Sequence, residues 1–212
     1  MISLTNRQLA GFVTIALYIF CGVNTAMAIE KAAYELLQKE GSFEIRQYDP
    51  QIVAETYVEG EFEKVGNAGF QRLFDFISGN NLKKQSISMT APVTQAAGSE
   101  KIAMTAPVSQ EKKGDQWRIT FLMPAEYTLE ALPKPQDERV MLVQQPGRLL
   151  AAVKYSGTWS RENYEQNKAR LEEYIQANGL KQIGTEIWAR YDPPFMPWFL
   201  RRNEVLIPVE KL

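Results

Sequence analysis

Two methionines occupy equivalent places in a doubled heptapeptide. Ile87-Ser88-Met89-Thr90-Ala91-Pro92-Val93 recurs 15 residues later as Ile102-Ala103-Met104-Thr105-Ala106-Pro107-Val108, with six of seven positions identical. A thioether can act as a soft metal ligand. It is also an adaptable filler of irregular core space. Strand-like alternation places Ile87, Met89, Ala91 and Val93 on one face, and Ile102, Met104, Ala106 and Val108 on one face. That is how core residues are spaced, so ligation and core packing both stand for Met89 and Met104, with packing the ordinary use.

Two absences narrow the chemistry further. The chain has no histidine, and its one cysteine is Cys21. Imidazole acid–base catalysis, a Ser-His-Asp triad and the usual nitrogen ligands of zinc, copper or iron are therefore excluded. Carboxylate chemistry survives, but it needs groups such as Glu44, Glu55 or Glu126 to converge in one cleft. No acidic cluster is spaced for that, so an enzyme ranks last and a non-catalytic binder first.

Residues 1–28 carry one charge, Arg7, then an almost wholly apolar run over 9–20, and end in Ala26-Met27-Ala28. This is the layout of a secretory signal peptide cleaved after Ala28. The apolar run is short of the roughly 20 residues that span a bilayer. The expected location is periplasmic or secreted, and an uncleaved anchor is the rival. Residues 29–212 then form a single domain with 23 basic and 25 acidic residues, a net charge of −2. That balance does not favour nucleic acid. Without cysteine, the domain has no disulfide and must be held by packing.

The elements repeat at an offset of 97. Strands are expected over 43–48 and 52–58 around the turn Asp49-Pro50, and over 139–144 and 149–155 around Pro146-Gly147. Gly60 falls on Gly157. Phe62, Val65, Gly69, Phe70, Leu73, Phe74 and Ile77 share one face of a first helix, which ends at Gly79-Asn80-Asn81. A second helix opens at Ser160, a good N-cap, and stops at Asn178-Gly179. Further strands are expected over 117–123 and 186–191, and the two heptapeptides read as strand-like pieces whose prolines mark edges or bulges. The fold class is α+β: duplicated β-β-α-β units in a twisted antiparallel sheet with two covering helices. Any ligand is sought first near the junction of the halves.

The doubled I-x-M-T-A-P-V, the run Trp117-Arg118-Ile119-Thr120-Phe121-Leu122-Met123-Pro124, the segment Tyr127-Thr128-Leu129-Glu130 with Leu132-Pro133, Tyr191-Asp192-Pro193-Pro194 and Arg201-Arg202-Asn203-Glu204-Val205 together resemble the SOUL haem-binding family. The resemblance covers about 34–206. It implies a distorted barrel with internal duplication, similar to bacterial effector-binding domains of multidrug-responsive regulators. It also implies haem or a related tetrapyrrole as cofactor. Family members bind by a histidine ligand or through an apolar pocket, and only the second route is open here. The alternative function is a general effector-binding module for hydrophobic small molecules.

The resemblance points to the first helix and the segment after Tyr191-Asp192-Pro193-Pro194 as pocket walls. Phe70, Leu73, Phe74 and Ile77 are candidates for the apolar wall, although helical spacing makes them core by default. Where a haem-binding relative carries basic residues, this chain has Asn67, Asp75 and Met196. Lys64 and Arg72 on the helix are the substitutes for contacting an anionic ligand, and Arg201 is a third. The aromatic, basic tail over 193–202 either packs on its own domain or contacts the ligand or a membrane surface, with packing the commoner outcome.

Overall fold

The computed structural model describes residues 29–83 and 98–211. The expected signal peptide with Cys21, and the first heptapeptide with Met89, lie outside the described residues. In chain order the elements are β1 (Tyr34–Glu40), β2 (Phe43–Tyr48), β3 (Gln51–Val58), α1 (Phe62–Ile77), β4 (Asn81–Leu82), β5 (Val108–Lys113), β6 (Gln116–Leu122), β7 (Lys134–Pro135), β8 (Met141–Gln145), β9 (Arg148–Tyr155), α2 (Arg161–Ala177), β10 (Leu180–Gln182), β11 (Ile187–Arg190), a 3-10 turn (Trp198–Leu200) and β12 (Asn203–Lys211).

The duplication is visible in the backbone. β3 and β9 have eight residues each, Gln51 falling on Arg148 and Val58 on Tyr155. Each strand leads into its helix through a glycine, Gly60 at φ 135° and Gly157 at φ 127°, conformations that L side chains avoid. Pairing then crosses between the halves. β2 runs antiparallel to β9, and β3 antiparallel to β8. The sheet order is β1-β2-β9-β12-β11-β5-β6-β3-β8, with β10 on β12. The sheet is large and antiparallel, and its end strands β1 and β8 do not pair, so it does not close into a barrel.

The sheet is buried on two faces where the halves meet. Ala151 and Val153 join Leu171, Tyr174 and Ile175 of α2 in one core, whereas Leu150 and Ala152 join Tyr48, Ile187 and Leu206 on the opposite face. α2 begins as its sequence requires, with Ser160 Oγ accepting from the Asn163 backbone N–H at 3.3 Å. α1 packs on β3 and β6. A Cβ at Gly69 would lie 2.7 Å from Ile119 Cβ, so glycine there lets the helix settle directly on β6.

Two expectations change. The strand expected from Ile102 begins only at Val108; Ala106 forms one isolated parallel bridge to Lys31 before that. Pro107 has no N–H to continue a ladder, and the Ala106–Pro107 peptide is cis. The second concerns strands: neither β12, which sits between β9 and β11, nor β1 was expected.

Candidate ligand-binding site

α1, the segment 104–108, the end of β11 and the loop that follows it enclose a cavity of about 400 Å³. Phe70, Phe74, Met104, Val108 and Trp159 give it apolar walls, and Pro193, Pro194 and Phe195 form its outer side. The size suits a small-molecule site, and such sites are lined mostly by apolar and aromatic groups. A cavity of similar volume at 30–33 and 122–130 has a mixed wall that includes Glu30, Lys31 and Asp49, with Tyr127 as its aromatic residue.

The helix builds its wall by a small rotation of its apolar stripe. Phe62, Val65, Leu73, Phe76 and Ile77 are buried in the core. Phe70 and Phe74, one turn apart on the flank of that stripe, stack at 5.7 Å with planes 11° apart. Phe70 meets Phe121 edge-on at 5.3 Å, which fixes its ring. Phe74 remains 41% exposed. Of the four residues expected as an apolar wall, Phe70 and Phe74 line the cavity while Leu73 and Ile77 are core.

Among the described residues one cation, Arg190, lines the cavity, and sequence reasoning did not single it out. Arg190, the last residue of β11, lies 5.3 Å from the Trp159 ring and 4.9 Å from the Trp188 ring. A Cβ on Gly66 would sit 2.8 Å from Arg190 Nη2 and 3.1 Å from Gln110 Oε1, so the missing side chain of α1 makes the space for the guanidinium. Burial pulls the Arg190 pKa down to about 10, partly offset by the nearby Tyr155 phenol. It stays protonated at neutral pH. Among the described residues no carboxylate pairs with it. The only signal in sequence was indirect, a glycine at Gly66 within an otherwise good helix pattern.

The other two arginines of this region are spent on structure. Arg201 donates from Nε to Met196 O at 2.8 Å and from Nη2 to Pro194 O at 2.7 Å, and stacks on Trp159 at 4.3 Å. It braces the cavity's outer loop. Arg202 donates from Nη2 to Glu204 Oε1 at 2.7 Å. Glu204 is fully buried and also receives two bonds from Arg46, at 2.7 and 3.0 Å, and one from the Tyr191 hydroxyl at 2.8 Å. This network ties β2, β12 and the end of β11 together, and so fixes where Arg190 stands.

The remaining expected residues are dispersed. Met104 lines the cavity and also packs on the α1 core. Asn67 lines it from the exposed side of α1. Lys64 points to solvent and pairs with Glu61 at 2.7 Å. Arg72 donates to Thr56 Oγ1 at 2.7 Å and Tyr57 O at 3.1 Å, which anchors α1 to β3 rather than facing the cavity. Met196 contributes its carbonyl to Arg201 and is not a wall. Of the carboxylates considered for catalysis, Glu44 is held by Arg46 and Lys154, and Glu55 by Arg118. Neither they nor Glu126 lines the cavity. Among the described residues no group of three or more His, Cys, Asp or Glu is placed to hold a metal ion, and no helix is long and apolar enough to cross a membrane.

A crossed, duplicated antiparallel sheet with two helices, and a cleft beside the first helix, define an α+β domain. The EcmrR C-terminal domain superposes with a TM-score of 0.57, covering 84% of this chain and 99% of that one at 9% identity. A structure described as a hydrolase from Listeria innocua gives 0.52, covering 87% and 94% at 14% identity. At such identities the likeness is of fold alone. In sequence, the chain is 25% identical over 170 residues to Heme-binding protein 1 of Xenopus laevis, covering 79% of this chain and 84% of that protein. It is 25% identical over 195 residues to Heme-binding protein 2 of Homo sapiens, covering 84% and 89%. The SOUL heme-binding protein family matches residues 29–208, and the chain belongs to that family.

Proposed function

We propose that the protein binds haem or a related tetrapyrrole, non-catalytically, in the cavity beside α1 and without an imidazole or thiolate ligand. The observation that carries this is an apolar, aromatic-walled cavity whose one cation among the described residues, Arg190, has no carboxylate partner among them. Haem, when bound, brings two flat apolar faces and two propionate carboxylates. The stacked Phe70 and Phe74, with the thioether of Met104, suit such a face. Arg190 suits an acidic edge. The residues present therefore fit the group, although the chain contains no histidine. Phe195 lines the mouth and is 85% exposed, a large apolar surface of the kind that marks a ligand entrance.

Titration with hemin tests this, followed by the Soret band and by tryptophan fluorescence, since Trp159 is a wall residue. Saturable quenching and a shifted Soret band are expected. A Soret band that stays that of free hemin, with no saturable quenching, would sink the proposal. A preference for neutral lipophiles over hemin would instead select a general effector-binding module. A Phe70→Asp variant, which puts an unpaired charge against an apolar ligand, should lose binding.

A further inference from the structure

The two neighbouring arginines, Arg201 and Arg202, have most of their donors engaged by the protein. Arg201 is bound to two loop carbonyls, and Arg202 to Glu204. Asp192 is the acidic lining residue, and its carboxylate accepts from the Arg202 backbone N–H rather than from Arg190. The buried polar groups around Arg190 are neutral at physiological pH. Gln110 Oε1 flanks the same point beside Gly66, the Trp188 ring lies beneath the guanidinium, and the Tyr155 hydroxyl is near. Gln110 Oε1 is itself buried without a hydrogen-bond partner, and the Tyr155 hydroxyl and Trp188 Nε1 are close enough to each other to interact. Arg190 is half-buried, and a partly desolvated cation without a counter-charge is costly. It persists where something outside the protein supplies the charge.

Resting on the haem or tetrapyrrole reading and narrowing it, we infer that Arg190 is the anion-reading residue of the cavity. The ligand class is then a flat apolar molecule with a free carboxylate directed at the inner end of the cavity, between Gly66 and the Trp159 ring. The two indoles that flank the guanidinium and the gap at Gly66 hold it in place without consuming its N–H donors, which leaves a planar fork facing the cavity. Recognition by this group depends on the acid and not on any metal at the ligand's centre. A neutral ester of the same skeleton keeps its apolar contacts and forfeits this one.

The experiment compares protoporphyrin IX with its dimethyl ester, both metal-free, binding to the wild-type protein, Arg190→Gln and Arg190→Lys. Binding is read by porphyrin fluorescence and tryptophan quenching. The wild type is expected to prefer the acid by about 10- to 100-fold, the range of a charge-assisted hydrogen bond. Arg190→Gln should lose that preference by weakening the acid alone, and Arg190→Lys should keep part of it. Equal binding of acid and ester by the wild type overturns the inference while leaving a porphyrin pocket intact. Equal weakening of both ligands in Arg190→Gln overturns it too. Failure of both porphyrins to bind the wild type overturns the pocket reading itself. Should Arg190→Gln misfold by circular dichroism, the acid-to-ester ratio of the wild type and of Arg190→Lys still decides.

Discussion

Gly66 and Arg190 are spatial complements: a Cβ on the helix at Gly66 would lie 2.8 Å from the arginine's Nη2. The atoms it would displace are the far ends of flexible side chains, Arg190 and Gln110. Gly66→Ala should therefore leave stability within about 1 kcal/mol of wild type, since the helix propensity of alanine offsets a mild clash. It should nonetheless weaken protoporphyrin binding, because the guanidinium must move. Gly69→Ala is the contrasting case. Its Cβ meets branch atoms of Ile119, which cannot swing aside, and it should cost about 1–3 kcal/mol. Urea unfolding and fluorescence titration of the two variants separate these effects; unchanged binding by Gly66→Ala would contradict the first.

The buried pair Arg46–Glu204 makes a second prediction. Both side chains are wholly excluded from solvent, and their contact is bidentate at 2.7 and 3.0 Å. Removing one partner strands the other, so Glu204→Leu should destabilise by about 3–5 kcal/mol. The double variant Arg46→Met, Glu204→Leu should recover much of that loss. A double-variant cycle in urea checks the coupling, and simple additivity of the two single losses would refute it.

Acid should unfold the protein through the same network. Burial alone would raise the Glu44 pKa, but the Lys154 ammonium and the Arg46 guanidinium outweigh it and hold the carboxyl at about 2, against an ordinary 4.5. The Glu204 carboxyl is lowered in the same way by Arg46 and Arg202, against its own burial. A carboxyl depressed in the folded state stabilises above its unfolded pKa, and that contribution disappears as pH falls through the folded value. The contribution from Glu44, on the order of 2 kcal/mol, is therefore complete above about pH 4.5 and lost toward pH 2. Glu44→Gln should be less stable at pH 6 and should show a shallower decline below pH 4.5. Parallel pH profiles for the two proteins would count against this account.

Local chemistry made much of the architecture legible. The glycine pair Gly60 and Gly157, the Ser160 cap and the 97-residue offset each register a backbone requirement that few residues meet, and each has its counterpart in the structure. β12 was hidden because its identity as a strand comes from pairing with β9 and β11 rather than from its own pattern, and because it contains Pro208, a residue that argues against a strand although β12 runs through it. The site was half legible for the same reason. Phe70 and Phe74 lie on one helix face and declare themselves by spacing. Arg190 becomes a site residue only because β11, α1 and Trp159 converge on it, and no local pattern records that convergence. Lys64 and Arg72 share the helix with the wall, yet one faces solvent and the other is tied to β3.

Met104 supplies the last prediction. Its side chain lines the cavity and simultaneously packs against the α1 core, so its position is set by neighbours on both sides. Packing explains that placement without any bond to a metal. If the cavity reads shape and acid alone, hemin and metal-free protoporphyrin IX should bind within a factor of about three, a difference under roughly 0.7 kcal/mol. Met104→Leu, nearly equal in volume, should change neither affinity beyond that margin nor the Soret position of the hemin complex. A thioether bond to iron predicts the opposite on both counts, with hemin favoured over the free base and its spectrum altered by the leucine. Side-by-side titrations of both proteins with both porphyrins decide between a pocket that packs around the macrocycle and one that grips its metal.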